Sequence, residues 1–237
     1  MKDLHSHLLY GIDDGCTTLT ESISLLKKME ERGITDLVIT PHYIVDTNYT
    51  CEVETKTMLF NRLKKVMEDE NINMKVYLGN EIFLDDELVT LLKNKKIQAL
   101  NNSKYLLIEF PVINFPTKAK NIFSELIYEG YTIILAHPER YMYVAKDIKI
   151  LDDFKQMGVL FQGNYESLYG KYGKAAEKTL KKLLKKGYIS FLAGDIHHEV
   201  TLDIKDLEKK LKKYLPSEEI TKVLETNFDC VINNISI

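Results

Sequence analysis

The amino-acid sequence predicts an α/β protein built as a closed barrel of parallel strands, each followed by a helix. Along its 237 residues, about seven apolar runs of strand length alternate with segments of helical periodicity. This alternation is typical of parallel βα units. Polar residues capable of chemistry follow nearly every strand, which favours a barrel, because an open sheet would concentrate them at one switch point. No linker interrupts the series, so residues 1–237 are predicted to form one domain.

The predicted strands are apolar runs that end at a proline, a glycine or a polar residue. They cover Lys2–Ser6, Asp36–Thr40, Met74–Leu78, Lys104–Phe110, Tyr131–Ala136, Gly158–Gln162 and Tyr188–Ala193. The predicted helices carry apolar residues three or four positions apart. They cover Thr17–Arg32, Cys51–Glu70, Asp85–Asn94, Thr117–Glu129, Ile148–Met157, Lys174–Lys186, Asp206–Tyr214 and Ser217–Glu225. Thr18 or Thr20 is the predicted N-cap of the first helix, Gly163–Gly170 is predicted to be a loop, and residues 226–237 receive no assignment.

Composition and charge exclude several classes of protein. Hydrophobic residues make up 45% and charged residues 28% of the chain, which is the balance of a globular protein and not of a disordered one. The net charge is −3 with both signs interspersed, so nothing in the overall charge favours binding to nucleic acid or to an acidic membrane.

Cysteine usage and hydropathy predict a cytoplasmic protein. Cys16, Cys51 and Cys230 are widely spaced without a C-x-x-C pair, so neither a disulfide framework nor a thiolate zinc site is indicated. The chain opens on a polar motif rather than a secretion signal, and its longest apolar runs are too short to span a bilayer. The helix face of Glu21 to Arg32 suits either solvent or a neighbouring subunit, which leaves a homo-oligomer open.

The first fifteen residues contain a histidine pair, His5 and His7, at the end of the first predicted strand. Side chains in a strand repeat every second residue, so the two rings point to the same face and can bind one cation. An isolated H-x-H pair is a weak signal on its own. Its weight depends on whether later strand ends supply complementary ligands.

The later strand ends do supply imidazoles and carboxylates. The candidate ligands are His5, His7, Asp14, His42, Glu81, Glu109, His137, Asp195 and His197. A carboxylate at the end of a buried strand is costly unless it is paired or binds a cation. Mixed nitrogen and oxygen ligands without thiolate suit Mn²⁺, Fe²⁺ or Zn²⁺, and carboxylates that can bridge indicate more than one ion. Nine ligands are enough for three ions.

The order of these motifs resembles that of the polymerase-and-histidinol-phosphatase (PHP) superfamily. The motifs that carry the resemblance are Asp3-Leu-His5-Ser-His7, Thr40-Pro-His42, Gly79-Asn-Glu81, Glu109, Ala136-His-Pro-Glu-Arg-Tyr141 and Gly194-Asp-Ile-His197. Within the superfamily, the stretch from His5 to Gly15, together with His137–Tyr141 and Gln162-Gly-Asn164, is most similar to the manganese-dependent bacterial tyrosine phosphatases of capsule and exopolysaccharide loci.

The resemblance implies a distorted (β/α)7 barrel, TIM-barrel-like, with a trinuclear metal site. Carried over motif by motif, His5, His7, Glu81 and Asp195 would hold one ion. Glu81, Glu109 and His137 would hold a second, and Asp14, His42 and His197 a third. Of the adjacent acids Asp13 and Asp14, Asp13 is the less favoured ligand, and orienting a ligand or capping a helix is its alternative role.

One motif departs from the family pattern. Members commonly carry an arginine shortly after the last histidine motif, but here His198 and Glu199 follow His197, and Arg140 is the last arginine in the chain. The phosphate contact expected from a second arginine is therefore in doubt, with His198 or a nearby lysine as the only substitutes.

The predicted chemistry is hydrolysis of a phosphate ester by a metal-bridging hydroxide, which needs no cysteine nucleophile. Arg140 and His42 are the predicted catalytic residues. The planar guanidinium of Arg140 can contact two phosphate oxygens, and His42 is one of the candidate metal ligands. The alternative for Arg140 is a structural salt bridge with Glu139 or another acid. Five tyrosines in strand-end loops could form an aromatic rim for a phosphotyrosine ring, or could instead be packing residues. They are Tyr43, Tyr49, Tyr141, Tyr165 and Tyr169, with Tyr43 and Tyr141 the predicted substrate contacts.

Three functions compete at this stage. The resemblance favours a protein-tyrosine phosphatase that acts on the tyrosine-rich tail of a bacterial polysaccharide-synthesis kinase. A small-molecule phosphatase such as histidinol-phosphate phosphatase would share every metal ligand. A non-catalytic barrel that serves as a scaffold would have no reason to retain nine ionisable groups, and a nuclease is disfavoured because no basic groove is evident.

Overall fold

The computed structural model describes residues 1–237 and confirms the predicted barrel of parallel strands. Its strands are β1 (Lys2–Asp3), β2 (Asp36–Ile39), β3 (His42–Tyr43), β4 (Lys75–Leu78), β5 (Glu81–Phe83), β6 (Tyr105–Glu109), β7 (Thr132–Ala136), β8 (Leu160–Asn164) and β9 (Ile189–Ala193). Its helices are α1 (Leu19–Glu31), α2 (Val53–Asp69), α3 (Leu88–Lys93), α4 (Ala119–Tyr128), α5 (Met142–Lys146), α6 (Asp152–Gln156), α7 (Gly173–Lys185), α8 (Ile204–Leu211), α9 (Ser217–Thr221) and α10 (Asn227–Ile232).

Two of the predicted strands are followed, after a short break, by a second strand, and these breaks distort the barrel. After β2 the chain bends at Thr40-Pro41 and continues as β3, and after β4 it bends at Gly79-Asn80 and continues as β5. Strands β1, β2 and β4 form one sheet in that order, whereas β3 and β5 belong to the second sheet, which has the order β3-β5-β6-β7-β8-β9. Gly79 is required at the second break, because a Cβ there would lie 2.7 Å from Leu100 Cδ2.

Backbone hydrogen bonds close the ring between its first and last strands. The Asp195 amide donates to the His5 carbonyl at 2.9 Å, and the His7 amide donates to the Ile196 carbonyl at 2.8 Å. Regular pairing of the first strand stops at Asp3, so the predicted strand Lys2–Ser6 is shorter, with one isolated bridge from Ser6 to Ile196. The closing bonds bring the first and last motifs side by side.

Successive side chains of each strand point to opposite faces, so the protein has two hydrophobic cores. Eleven buried residues form the barrel interior, and 52 form the layer between strands and helices. Phe228 and Val231 of α10 pack with the interior group. Their burial explains why residues 227–232, which the sequence analysis left unassigned, are helical.

Two further differences lie around β8. Strand β8 extends through Gly163 to Asn164, where a loop was predicted. Glycine at position 163 lets α7 approach the strand closely, because a Cβ there would lie 2.6 Å from Leu180 Cδ1. The predicted helix Ile148–Met157 is a 3₁₀ turn, Ile148–Leu151, followed by α6.

Thr18, and not Thr20, caps α1 by accepting from the Glu21 amide. None of the helices combines the length and apolar content that crossing a bilayer requires.

Replacing Phe154 with alanine should destabilise the barrel strongly. Phe154 is fully buried, and its ring meets those of Phe110 and Phe123 at 5.7 and 5.4 Å between centroids. Removing a buried phenyl ring costs about 3–5 kcal/mol in lost transfer free energy and cavity formation. Urea unfolding measures the change, with Tyr128→Ala as the control, since Tyr128 is 89% exposed. A loss equal to that of the control would contradict the packing described.

Candidate metal centre

Eight of the nine predicted ligands form three groups at the carboxyl ends of the strands, and the ninth, His137, lies beside them. His/Asp/Glu ligand atoms form three groups, each with its atoms within 4.8 Å of one another. The groups are His5, His7, Glu81 and Asp195; His42, Glu81 and Glu109; and His7, Asp14, His42 and His197. Glu81, His7 and His42 each belong to two groups, so the three groups are contiguous.

The first group is the most buried of the three. His5 Nε2 lies 3.2 Å from Glu81 Oε2 and 3.4 Å from Asp195 Oδ1. His7 Nε2 lies 3.3 Å from each of the same two oxygens. All four side chains are buried, so two imidazoles and two carboxylates face one point inside the protein.

The second group centres on Glu81 and Glu109. The predicted grouping had His137 with these two acids, whereas the group found contains His42; His137 Nε2 lies 3.0 Å from Glu81 Oε1 and 3.6 Å from Glu109 Oε1. His42 Nδ1 also approaches Glu81 Oε2, at 3.1 Å, so both imidazoles flank the acid pair. His137 holds a left-handed backbone with φ of 30°, and Asp195 one of 53°, which is strained for residues with side chains and typical of functional positions.

The third group is the most exposed. Asp14 Oδ1 lies 3.5 Å from His42 Nε2 and 3.4 Å from His197 Nε2. The His197 ring stacks on that of His7 with 4.0 Å between centroids, which joins this group to the first. The Asp14 side chain is 49% exposed, so this group opens to solvent.

A surrounding set of hydrogen bonds orients the ligands. Asp13 Oδ2 lies 2.8 Å from His7 Nδ1 and accepts from the His42 amide at 3.0 Å, so Asp13 supports the ligands while Asp14 faces the third group. Gln162 Oε1 lies 2.9 Å from His5 Nδ1, and Asn164 Nδ2 donates to Asp195 Oδ2 at 2.9 Å. Such contacts fix which ring nitrogen faces the centre. Gln162 and Asn164 entered the sequence analysis only as a family motif, although two amides in one strand end were a usable signal.

The charges of the groups depend on one another. Burial and the neighbouring Glu81 raise the pKa of Glu109 to about 8. Burial alone would lower the pKa of His5, but the Glu81 and Asp195 carboxylates outweigh it and raise the pKa to about 9. The hydrogen bond with His197 lowers the pKa of Asp14 to about 2.

The donor set fits divalent metal ions. The buried oxygens Glu81 Oε2 and Asp195 Oδ1, and the nitrogen His42 Nδ1, have no hydrogen-bond partner. Buried polar atoms without a partner are costly, and a cation would satisfy several of them at once. Imidazole and carboxylate without thiolate are ligands that suit Mn²⁺, Fe²⁺ and Zn²⁺.

The ligand groups open into a surface cleft, which contains Arg140. The cleft is lined by Asp14, Arg140, Lys171, Tyr172, Asp195, His197, His198 and Glu199. Arg140 Nη1 donates to Asp195 Oδ2 at 2.7 Å, and its guanidinium lies 4.7 Å from the Tyr172 ring centroid. The acid partner of Arg140 is therefore Asp195 and not Glu139, which accepts hydrogen bonds from the Asn164 amide and the Ser167 hydroxyl.

Two predicted substrate contacts are wrong. Tyr141 is fully buried, and its hydroxyl accepts from the Phe110 amide and donates to the Ala136 carbonyl, so no substrate ring can reach it. Tyr43 is only 7% exposed and belongs to the hydrophobic core. The aromatic residues at the ligands are instead Tyr49, whose ring stacks on His42 with 6.0 Å between centroids, and Tyr172, which the sequence analysis missed.

Comparison with known proteins places the chain among capsule-synthesis proteins. Residues 1–233 match the family described as capsular polysaccharide synthesis, CpsB/CapC. The chain belongs to this CpsB/CapC family. The putative tyrosine-protein phosphatase CapC of Staphylococcus aureus is 34% identical over 238 residues, which cover 99% of this chain and 92% of CapC. The tyrosine-protein phosphatase YwqE of Bacillus subtilis (strain 168) is 30% identical over 239 residues, covering 100% and 93% of the two chains.

Solved structures agree with the CpsB/CapC assignment. A chain from the crystal structures of YwqE from Bacillus subtilis and CpsB from Streptococcus pneumoniae, described as unique metal-dependent tyrosine phosphatases, superposes with a TM-score of 0.92 at 28% identity, covering 100% of this chain and 96% of that one. A histidinol phosphate phosphatase from Lactococcus lactis superposes with a TM-score of 0.54 at 14% identity, covering 90% and 93%, which shows a shared fold alone. The family resemblance read from the motifs is thus confirmed.

Replacing Asp13 with asparagine should weaken metal binding in this CpsB/CapC protein. The change removes the carboxylate that holds His7 Nδ1 while leaving every predicted ligand in place. Loss of such a supporting contact typically costs about 10–100-fold in metal affinity or activity. Titration of the metal-free protein with Mn²⁺ measures the affinity, with exposed Asp69→Asn on α2 as the control. Equal affinities for the two variants would show that Asp13 does not act through His7.

Proposed function

We propose that this chain is a metal-dependent protein-tyrosine phosphatase. The observation that carries the proposal is the convergence of three imidazole–carboxylate groups beside Arg140, at one cleft, in a chain of the CpsB/CapC family. Relatives covering nearly the whole chain are described as tyrosine-protein phosphatases.

The proposed ligands are the eight residues of the three groups together with His137. His5, His7, Glu81 and Asp195 hold one ion; Glu81, Glu109 and His137 hold a second, with His42 beside them; and Asp14, His42 and His197 hold the third. We propose Mn²⁺ as the metal, with Fe²⁺ or Zn²⁺ compatible with the same donors. Bound divalent ions would supply Lewis acidity toward phosphoryl oxygens and lower the pKa of a water molecule.

The chain's own residues bind and orient the phosphate ester. Arg140 is held by Asp195 at the cleft and presents its remaining N–H groups to phosphate oxygens, for which a planar guanidinium is well matched. A phenolate leaving group with a pKa of about 10 demands less of a general acid than a serine alkoxide does, which favours aryl phosphates. Tyr49 and Tyr172 offer ring faces to the tyrosine side chain.

A cysteine-based mechanism is disfavoured by the surroundings of Cys16. Its thiol is fully buried, and burial raises its pKa to about 12, whereas a nucleophilic cysteine requires a lowered pKa. Cys51 and Cys230 are likewise unpaired thiols away from the cleft lining, and three free cysteines accord with the cytoplasm that we propose as the compartment.

The proposed substrate is the phosphorylated tyrosine-rich tail of a bacterial tyrosine kinase. Through this substrate the enzyme would regulate capsule or exopolysaccharide synthesis, in keeping with the family's description. This partner follows from the family resemblance and the phosphotyrosine chemistry proposed for the cleft.

The decisive test compares substrates on protein stripped of metal. Treatment with a chelator should abolish turnover, and Mn²⁺ should restore hydrolysis of a phosphotyrosine peptide at least about tenfold faster than that of a phosphoserine peptide or histidinol phosphate, because phenolate is the better leaving group. Selective turnover of histidinol phosphate would instead establish a small-molecule phosphatase. No Mn²⁺-dependent turnover of any ester would leave a non-catalytic scaffold.

A further inference from the structure

Helix α7 and the residues next to it are rich in lysine. Residues 171–186 contain seven lysines and a single acid, Glu177, which gives this segment a charge of +6. The whole chain has a net charge of −3, so the remaining residues sum to −9. The mechanism uses none of the lysines on α7.

Four of these lysines form one exposed stripe, here called the lysine face: Lys174, Lys178, Lys182 and Lys186. They are spaced four residues apart, which places them on one side of a helix. All four are exposed, and their ammonium groups form no ion pair, whereas Lys181 pairs with Glu177. The opposite side of α7 is buried through Leu180, Leu183 and Leu184, so the helix is anchored and the lysine face is free.

The lysine face is continuous with the catalytic cleft. Lys171 and Tyr172 line the cleft together with Arg140, and α7 begins at the next residue, Gly173. With 13 residues, α7 extends about 20 Å from the cleft along the outside of the barrel. An extended peptide advances about 3.3 Å per residue, so the face matches about six residues.

We propose that the lysine face binds an acidic segment of the substrate protein adjacent to the phosphotyrosine. The inference rests on the proposed function and adds a specificity determinant to it. When the phosphate of a peptide lies beside Arg140, neighbouring Asp or Glu residues of that peptide would contact the lysine face. Complementary charge there increases the association rate and favours acidic partners. The buried apolar side of α7 excludes insertion into lipid, and continuity of the lysine face with the cleft favours a substrate segment over purely electrostatic contact with an anionic membrane.

The test uses the full chain with Lys174→Gln, Lys178→Gln, Lys182→Gln and Lys186→Gln combined. A matched control removes four exposed lysines from the α2, β4 and α3 region: Lys64→Gln, Lys65→Gln, Lys75→Gln and Lys95→Gln. Both variants carry the same net charge. Three substrates are compared with Mn²⁺ at low ionic strength: a phosphotyrosine peptide flanked by six acidic residues, the same peptide with Gln and Asn in their place, and free O-phosphotyrosine.

We expect the lysine-face variant to lose about tenfold in kcat/KM on the acidic peptide alone, with the loss shrinking at high salt. The control variant should retain wild-type values on all three substrates. Equal kcat/KM of both variants on the acidic peptide would overturn the proposal. So would unchanged peptide kinetics combined with loss of co-sedimentation with phosphatidylglycerol vesicles, which would assign the face to a membrane.

A binding measurement separates this proposal from the proposed function. Fluorescence anisotropy of a labelled acidic peptide without phosphate requires no turnover. Weaker binding by the lysine-face variant than by the control variant supports the docking site even if free O-phosphotyrosine is not hydrolysed. Equal binding by the two variants contradicts it whatever the activity.

Discussion

Replacing Glu81 with glutamine should lower kcat for phosphotyrosine by at least about 10³-fold. The Glu81 carboxylate is the one group within 3.3 Å of four imidazoles, those of His5, His7, His42 and His137. Glutamine keeps the size but removes the negative charge shared by two ligand groups, and loss of a stabilising charge in a buried site commonly costs 10²–10³-fold or more. Metal content should fall in parallel, which elemental analysis of the purified protein measures.

The control for this variant is Glu125→Gln on α4, where the side chain is exposed. It should retain both metal and activity. Full metal occupancy with full activity in the Glu81→Gln protein would contradict a bridging role for Glu81. Circular dichroism spectra of the two variants exclude loss of fold as the cause.

Replacing Arg140 with alanine should lower kcat/KM for phosphotyrosine by about 100-fold. Arg140 is the only arginine at the cleft, and charge-assisted contacts from a planar guanidinium to phosphate are among the strongest hydrogen bonds in proteins. Metal content should change little, because Arg140 is not among the ligands. Arg140→Lys should retain the ion pair with Asp195 but not the two-pronged contact, so its activity should lie between those of alanine and wild type.

Arg62→Ala on α2 is the matched control, since Arg62 is exposed and distant in the fold. Steady-state kinetics over a range of substrate concentrations gives kcat and KM separately. If Arg140→Ala matched Arg62→Ala in kcat/KM, the arginine would be only a structural partner of Asp195. In that case Lys171 would remain as the cationic residue of the cleft.

The positions of the candidate ligands could be predicted from sequence because local backbone geometry fixes them. His5 and His7 lie two residues apart on either side of the isolated Ser6–Ile196 bridge, so their common orientation is local. Glu81 and His137 follow apolar runs that end at a glycine or before a proline, and parallel strands bring such ends to one rim. Little long-range information was needed to bring these residues together.

Other features depend on tertiary packing and could not be predicted from the sequence. Whether a tyrosine in a strand-end loop faces solvent or core is decided by its neighbours, and for Tyr141 the buried partners Phe110 and Ala136 decide it. The breaks before β3 and β5 coincide with a change in strand pairing, since β2 pairs with β1 but β3 does not, and β5 pairs with β6 but β4 does not. The contact of Arg140 with Tyr172 joins two loops that sequence alone does not relate.

We propose that the nine side chains hold three divalent ions next to Arg140. Anomalous diffraction from crystals of the Mn²⁺-loaded protein, recorded on both sides of the manganese absorption edge, locates these ions. We expect three manganese peaks, one within each ligand group and all bordering the cleft. A protein with Mn²⁺-dependent phosphotyrosine hydrolysis but a single peak, or peaks outside these groups, would contradict the trinuclear site.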